Sequence, residues 1–520
     1  MGGLEQQTVV SATISEHAFG QLVSERARYL LSVANHLPKH QLASGIFTRP
    51  LLGRLLLQSL EIQEMIDAYG AKNNKHWQRF RHLVTTVKVF AGVGYELLHI
   101  QHTLPNYQLL EDTQELSERT LDALALISYI LLRACTEMTA AAQSHNLYIP
   151  PDTTAPGTYD ETLPPGRLLH DVETRKVENV YETVTLLATA FLNLAQEARI
   201  LTTIQMPNTE ACACFVSDKV NQESLHRLYE KYHNLQSLYD TYVSDTEAET
   251  LDHDLVVLRG HISLSMHLLS VAATLAQYYE QHVRTSGCRH STALGIVEPQ
   301  ELLHVMIDYA IGYAVCYTTS ARTLCQDMLR RYTEIDQIDV SIPVYRGFHV
   351  RPSTLVATIV NHYGTEVHMQ LDGETVNAAV PLEIFRINEK INAEKRRLLA
   401  QQVSALSNVR ADALSGSIRH DLHSAILHLA QQGMIVIYQQ PLELTDQAGA
   451  EEELFLKCLT DEIRRLLAEA KLDIHTDMTV RFTGDRRVLE DLKLLAECGY
   501  GEDRFGNNIP LPEKLVYLRC

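Results

Sequence analysis

Residues 347–353 of the chain, GFHVRPS in one-letter code, place a histidine two positions before an arginine. A neutral imidazole such as that of His349 attacks phosphorus readily near pH 7, and the phosphoryl group that it then carries brings a charge of about −2. Arg351 can offer a planar, fork-shaped cation to the oxygens of that group. The string therefore predicts a phosphate-related histidine. The alternative is a histidine that only caps a helix.

The segments around this string predict a strand before it and a helix after it. Apolar and polar residues alternate over 338–344, which is the period of a half-buried strand. Apolar residues recur at helical spacing over 355–360, and Pro352 suits the first helical turn because its missing N–H would have no partner there. Gly347 allows a sharp turn between the two elements. We therefore expect His349 at the start of a helix.

A helix start favours the negative charge of a phosphoryl group. The first backbone N–H groups of a helix have no intrahelical acceptor, and the helix end carries partial positive charge. The amide groups of Ser353 and Thr354 are therefore predicted to bind the phosphoryl oxygens beside Arg351.

With these elements the segment resembles the histidine-containing phosphocarrier protein (HPr) of the bacterial phosphoenolpyruvate:sugar phosphotransferase system. The likeness continues through residues 362–374, which predict a helix end, a strand, an Asp-Gly turn and a second strand. Val367, Met369 and Leu371 are expected on one face of the first of these strands. By the same resemblance, a short helix follows around 382–387, and the family's last strand and last helix match 433–438 and 452–472.

The resemblance implies a role for each matching residue. His349 would accept a phosphoryl group from an Enzyme I-like donor and pass it to an unknown protein acceptor, with Arg351 stabilising it. Val380 stands where kinase-regulated members carry a serine, so that form of control is not expected, and Pro381 follows it. The apolar docking rim for the donor would consist of Val350, Thr354, Leu382 and Phe385.

The predicted fold class is multidomain, with an all-α helical-bundle N-terminal region and a C-terminal α+β, HPr-like open-faced sandwich that carries an insertion. Long helices are predicted at 15–36, 49–70, 74–104, 113–145, 167–203, 218–245, 248–285 and 298–334. The predicted divisions are a helical bundle at 1–145, a Pro-rich crossover at 146–166, a second bundle at 167–335 (one domain with the first is the alternative), the HPr-like domain at 336–472 with its insertion at 389–432, and a C-terminal extension at 473–520.

Composition narrows the function classes. The net charge of −19 argues against general nucleic-acid binding, which needs basic patches, and against attachment to anionic membranes. Charged residues bracket or interrupt the most hydrophobic helical run, 121–134, so no membrane span is expected. Nine scattered cysteines do not describe a disulfide framework, and the start of the chain lacks a signal region. These features predict a cytoplasmic protein.

Other candidate sites are weaker. Cys212 and Cys214 form at most half of a zinc site. Glu-x-x-His pairs recur in the helical half and would suit a metal-dependent bundle enzyme, but chance and surface placement explain them better. They are Glu96/His99, Glu223/His226, Glu230/His233 and Glu301/His304. His420, His423 and His428 would assist phosphoryl chemistry only if the insertion folds beside His349.

No metal and no cofactor is predicted, and no nucleotide-binding loop or kinase motif is present in the sequence. The leading hypothesis is a phosphocarrier or phosphorylation-responsive regulatory protein. The alternative is a scaffold that keeps the HPr fold without phosphotransfer inside a helical assembly. A homo-oligomer is left open.

Overall fold

A computed structural model describes residues 13–39, 47–151, 168, 175–176, 179–204, 206, 221–284, 295–406, 418–438, 442–444 and 452–519. The described residues are mostly helical and include a small antiparallel sheet. The chain divides into two compact units, unit 1 (Met1–Thr183 and Ala198–Leu324) and unit 2 (Val184–Glu197 and Cys325–Cys520). Most of the predicted Pro-rich crossover, 152–166, and the pair Cys212/Cys214 lie outside the described residues.

The helical N-terminal region is confirmed, and each of the eight predicted helical segments contains a helix. The helices that begin in unit 1 are α1 (Glu16–Arg26), α2 (Arg28–His36), α3 (Arg49–Ala68), α4 (Gln78–Thr103), α5 (Gln114–Ser144), α6 (Val180–Ala198), α7 (Gln222–Tyr242), α8 (Ala248–Leu251), α9 (Asp254–Tyr278), α10 (Pro299–His304) and α11 (Gly312–Arg331). Their starts follow ordinary capping chemistry. Asn221, for example, accepts a hydrogen bond from the Ser224 amide, and the Ser224 hydroxyl accepts one from the Asn221 amide.

Three described helical segments are long and apolar enough to cross a membrane by length and composition alone. They are Gln78–Asn106, Gln114–Ser144 and Asp254–Val283. Within the chain itself, 61%, 39% and 72% of their apolar windows are buried, so the first and third serve mainly as core helices of unit 1. The second contains the 121–134 run, where Leu121 and Tyr129 are exposed.

Unit 2 is built on a four-stranded antiparallel sheet of order β1-β6-β2-β3 and a separate two-stranded sheet, β4-β5. The strands are β1 (Ile335–Ser341), β2 (Val367–Leu371), β3 (Glu374–Asn377), β4 (Ile435–Ile437), β5 (Leu472–Ile474) and β6 (Thr479–Asp485). The helices are α12 (Val350–Tyr363), α13 (Pro381–Leu406), α14 (Ile418–Gln431), α15 (Glu452–Ala468) and α16 (Arg486–Glu497).

The β2–β3 hairpin forms as predicted. Asp372 and Gly373 both have positive φ angles, 48° and 79°, which is the backbone of a type I′ turn. Val367, Met369 and Leu371 are buried on one face of β2, and the residues between them are exposed. The alternation therefore identified the buried face of the sheet correctly.

The assignment of the last strand and helix of this sheet was wrong. Residues 433–438 do not join the four-stranded sheet, because β4 pairs with β5 instead. The fourth strand is β6, which lies between β1 and β2, and it comes from the segment expected to be an extension. β6 buries Val480 and Phe482 by alternation, and α16 follows it directly.

Residues of the predicted insertion, 389–432, belong to a second core that also takes in segments after residue 432. The helix expected to be short is α13, of 26 residues, and its second half packs in a core separate from the four-stranded sheet. That core contains β4, β5, α14 and α15, with Leu422, Ile426, Leu459, Ile463 and Leu466 among its buried side chains. A continuous apolar core explains why 433–438 and 452–472 belong together here.

Candidate functional site

His349 lies in a tight turn between β1 and α12. Arg346 and Gly347 have positive φ angles of 56° and 63°, and His349 itself is extended as the N-cap residue of α12. A Cβ atom at position 347 would collide with Oδ1 of Asn388. Glycine is therefore required here both by backbone conformation and by space.

Both ring nitrogens of His349 lie near oxygen atoms. Nδ1 is 3.2 Å from the carbonyl oxygen of Gly347, and Nε2 is 3.4 Å from Oε2 of Glu502. The ring of Tyr345 meets the imidazole edge-on, with 5.4 Å between the ring centroids. The His349 side chain is 21% exposed, so the ring is reachable from solvent only in part.

Arg351 reaches the same carboxylate. Its Nε is 3.7 Å from Oε1 of Glu502. The guanidinium also donates a hydrogen bond to the carbonyl of Gly501 at 3.1 Å and another to Oδ1 of Asn508. His349 and Arg351 therefore both face the same carboxylate, and the chain itself supplies it.

Glu502 is unusual among the carboxylates near this turn. Its side chain is only 7% exposed. Within the described part of the chain, Oε2 has no hydrogen-bond partner, although Nε2 of His349 is 3.4 Å away. The two groups are thus close enough to attract each other but too poorly aligned for a hydrogen bond. The permanent cation that faces this buried carboxylate is the guanidinium of Arg351.

Unit 2 holds the turn from a second segment as well. Oδ2 of Asp473, in β5, accepts hydrogen bonds from the backbone amide of Arg346 at 3.0 Å and from Nζ of Lys395 at 2.8 Å. The side-chain nitrogen Nδ2 of Asn388 donates a hydrogen bond to the carbonyl of Arg346 at 3.1 Å. Side chains of α13 and β5 therefore fix the backbone just before His349.

The Ser353 amide, one of the two predicted phosphate donors, is already engaged, and so are the hydroxyls of Ser353 and Thr354. The Ser353 amide donates to the carbonyl of His349 at 3.1 Å, and its buried hydroxyl donates to the carbonyl of Phe348 at 2.8 Å. The Thr354 hydroxyl donates to the carbonyl of Val350 at 2.7 Å. Because α12 begins at Val350, the amides that precede its first intrahelical bond are those of Val350 and Arg351.

The residues of the predicted docking rim are exposed. Val350 and Leu382 are 70% and 79% exposed, and Phe385 is 41% exposed. Val350 opens α12, and the other two lie in the first two turns of α13. Large apolar side chains with this exposure are available for contact with another protein.

The other candidate residues lie apart from this turn. In unit 1, Glu96 pairs with His267 at 2.9 Å, and His304 pairs with Asp308. His420, His423 and His428 lie on α14 in the separate core, where His428 contacts Gln432. Among the described residues, no group of three or more His, Cys, Asp or Glu side chains has a geometry that could hold a metal ion.

Sequence reasoning missed Glu502, Asn508, Asp473 and Lys395. Glu502 and Asn508 lie about 150 positions after His349, in a segment predicted only as a loop. A signal was present, since the string GYGEDRFGNN concentrates glycines where backbones approach closely. Nothing in the string identified the histidine turn as the surface that it approaches.

Comparison of the chain with protein-family models, with curated proteins and with solved structures gave no match. Any function assigned to the chain must therefore rest on its own residues.

Proposed function

We propose that unit 2 contains an HPr-like module that accepts a phosphoryl group on His349, and that the chain is a phosphorylation-responsive regulatory protein. One observation carries this proposal: His349 and Arg351, at the start of α12, together hold a buried anionic group. A site that accommodates a carboxylate between an imidazole and a guanidinium has the chemistry needed for a phosphoryl group.

The order of elements supports the proposal. β1, α12, β2, β3 and α13 follow one another as the resemblance implies. With β6 and α16 as the last strand and helix, the pattern is completed after the insertion. The alignment of the resemblance then covers 335–388 and 479–497 rather than a continuous stretch.

A regulatory role fits the geometry better than the role of a phosphocarrier that repeatedly transfers phosphoryl groups between proteins. A carrier histidine must meet both its donor and its acceptor in line, and it must do so repeatedly. Here the ring is 21% exposed, and each ring nitrogen faces an oxygen atom of the chain. Phosphorylation would therefore require local rearrangement, which suits a slow switch.

The partners follow from the same proposal. The donor would be an Enzyme I-like protein, which would contact Val350, Leu382 and Phe385, and the acceptor or output would be another protein or unit 1 itself. The proposed location is the cytoplasm, where such a donor would be encountered. Self-association remains a prediction from the sequence.

The test is phosphorylation of the full chain by purified Enzyme I and phosphoenolpyruvate. The expected result is acid-labile label at one equivalent per chain, absent in His349→Ala and retained in His368→Ala, a control that changes an exposed histidine of β2. Label that persists in His349→Ala would overturn the proposal. So would no label on protein whose circular dichroism shows it to be folded, provided that the same donor phosphorylates an authentic HPr in a parallel reaction.

A second candidate function is a scaffold in which the contacts of His349, Arg351 and Glu502 are permanent. The low exposure of the His349 ring favours the scaffold. The lack of a hydrogen bond to Oε2 of Glu502 within the described residues argues against it. The scaffold predicts that Glu502→Gln lowers stability without making His349 reactive toward any phosphodonor.

A further inference from the structure

Residues 499–508, named here the cover loop, contact the histidine turn at several points. We propose that the cover loop is the switch element of this site: the Glu502 carboxylate holds the place of the phosphoryl group, and phosphorylation of His349 expels it. This inference rests on the proposed function and adds to it the mode of regulation. Four observations carry it.

First, the cover loop has an internal structure of its own. One carboxylate oxygen of Asp503 accepts hydrogen bonds from the backbone amides of Phe505 and Asn507, at 2.8 and 2.9 Å. The other accepts from the Asn507 side chain at 2.9 Å. A bridge pairs Glu502 with Asn508 at the base. The loop can therefore move as a preformed piece.

Second, the attachment of the cover loop depends on Arg351. The guanidinium donates to the Gly501 carbonyl and to Asn508, and it faces Glu502. Arg351 is also the cation that the phosphoryl oxygens would bind. A phosphoryl group on His349 thus competes for the guanidinium that fastens the loop.

Third, the loop packs so closely against Tyr345 that there is no room for a side chain at position 506. Gly506 has a φ angle of 83°, and a Cβ atom there would lie 2.7 Å from the ring of Tyr345. The same tyrosine ring packs against His349. The glycine contact and the Arg351 contacts together hold the loop against the histidine turn.

Fourth, the Glu502 carboxylate is buried, and none of the residues that the structure describes makes a hydrogen bond to its Oε2. Nε2 of His349 lies 3.4 Å from Oε2, and Nε of Arg351 lies 3.7 Å from Oε1. A phosphoryl group of about −2 charge beside this carboxylate reverses the local balance, because two anions would then share one guanidinium. The carboxylate of Glu502 is the weaker of the two competitors, since it can regain water by moving outward.

The covalent step balances with a donor of the phosphoramidate class, which is either a phosphohistidine of a partner protein or inorganic phosphoramidate. The lone pair of a His349 ring nitrogen attacks phosphorus, and an N–P bond forms as the P–N bond of the donor breaks. The electron pair of that bond stays on the donor nitrogen. This nitrogen takes up the proton that the imidazole releases, so no other reactant is consumed.

The test is hydrogen–deuterium exchange of the full chain, read by mass spectrometry before and after treatment with inorganic phosphoramidate. In wild type, phosphorylation is expected to speed exchange in peptides covering 499–508 by about tenfold, while peptides of the β2–β3 hairpin stay unchanged. In Glu502→Gln the loop is expected to exchange fast already, and phosphorylation to change it by less than about twofold. Glu513→Gln, which changes an exposed carboxylate outside the loop, is the matched control and should behave as wild type.

The outcomes separate the two proposals. A phosphorylated wild-type chain whose cover loop exchanges at its original rate would overturn the switch and leave the proposed function standing. Equal responses of wild type and Glu502→Gln would overturn the role of the carboxylate. No phosphorylation of folded chain, including Gly506→Ala, in which the loop is pushed off Tyr345, would overturn both.

Discussion

Two buried carboxylates contact the turn that carries His349, and they are held differently. Asp473 accepts from Lys395 at 2.8 Å and from the Arg346 amide at 3.0 Å. Glu502 is equally buried, with 7% of its side chain exposed against 9% for Asp473, but its Oε2 has no hydrogen-bond partner among the described residues. The hydrogen-bonded carboxylate of Asp473 fixes the backbone before His349. The carboxylate of Glu502, beside the ring, is the one that we propose a phosphoryl group displaces.

The largest expected effect concerns Asp473, the carboxylate that pairs with Lys395. Lys395→Met leaves Asp473 as a buried charge without its cation and should lower the free energy of unfolding of unit 2 by about 3–5 kcal/mol. The measurement is urea-dependent hydrogen exchange of unit 2 peptides in the full chain. Lys390→Met on the same helix removes a solvent-screened pair with Glu374 and should cost far less. Equal costs for the two variants would show that the Asp473 pair does not fix the turn.

A second experiment separates backbone strain from crowding at the turn. Gly347→Ala adds a Cβ at positive φ and against Asn388, and it should destabilise unit 2 by about 2–4 kcal/mol. Gly373→Ala has a similar φ of 79° but open space around the added atom, so about 1–2 kcal/mol is expected. Calorimetry of both variants gives the difference. A cost at position 347 no larger than at 373 would contradict the tight fit of the turn.

Glu502→Gln should change stability little. The substitution removes the attraction to His349 and Arg351, but it also removes the cost of a buried charge that lacks a full set of hydrogen bonds, and the two effects offset each other to within about 1 kcal/mol. The same urea experiment measures it. A loss of more than about 3 kcal/mol in the free energy of unfolding would mean that Glu502 stabilises unit 2 as strongly as Asp473 does, and it would contradict the contrast between the two carboxylates.

The smallest effect concerns pH and the cover loop. Hydrogen bonds from the side chain and backbone amide of Asn507, followed by that from the Phe505 amide, lower the pKa of Asp503 below its usual 3.8. A lowered folded-state pKa adds stability above the unfolded pKa, and that stability is lost as pH falls through the folded value. Exchange in 499–508, corrected for its intrinsic pH dependence, should therefore rise only below about pH 4. Asp503→Asn should show no such rise, and a rise above pH 5 in wild type would contradict the assignment.

The sequence predicted local features of this site well. Alternation at 338–344 and 367–371, the Asp372-Gly373 turn and the spacing of α12 each depend on neighbouring residues, so they could be identified from short segments, although β1 begins and ends three residues earlier than predicted. The helices of unit 1 were found for the same reason. The start of α12 was placed about three residues too late, because its position at Val350 depends on cap geometry that sequence places only within a few residues.

Features that depend on long-range pairing were missed. β4 is a three-residue apolar strand and β6 a seven-residue alternating one, and only the core that each one completes shows which of them belongs to the four-stranded sheet. The apolar run 433–438 was therefore predicted to be the last strand of that sheet. Likewise, Glu502 and Asp473 are ordinary surface-type residues by composition, and only their tertiary contacts with the turn reveal a role.

The most direct test of the account is the initial rate of acid-labile labelling by inorganic phosphoramidate in wild type, Glu502→Gln and His349→Ala. Removing the resident anion should let the phosphodonor approach the ring more easily. The account predicts that Glu502→Gln is labelled about tenfold faster than wild type and that His349→Ala is not labelled. An equal or slower rate in Glu502→Gln would contradict the claim that this carboxylate holds the place of the phosphoryl group.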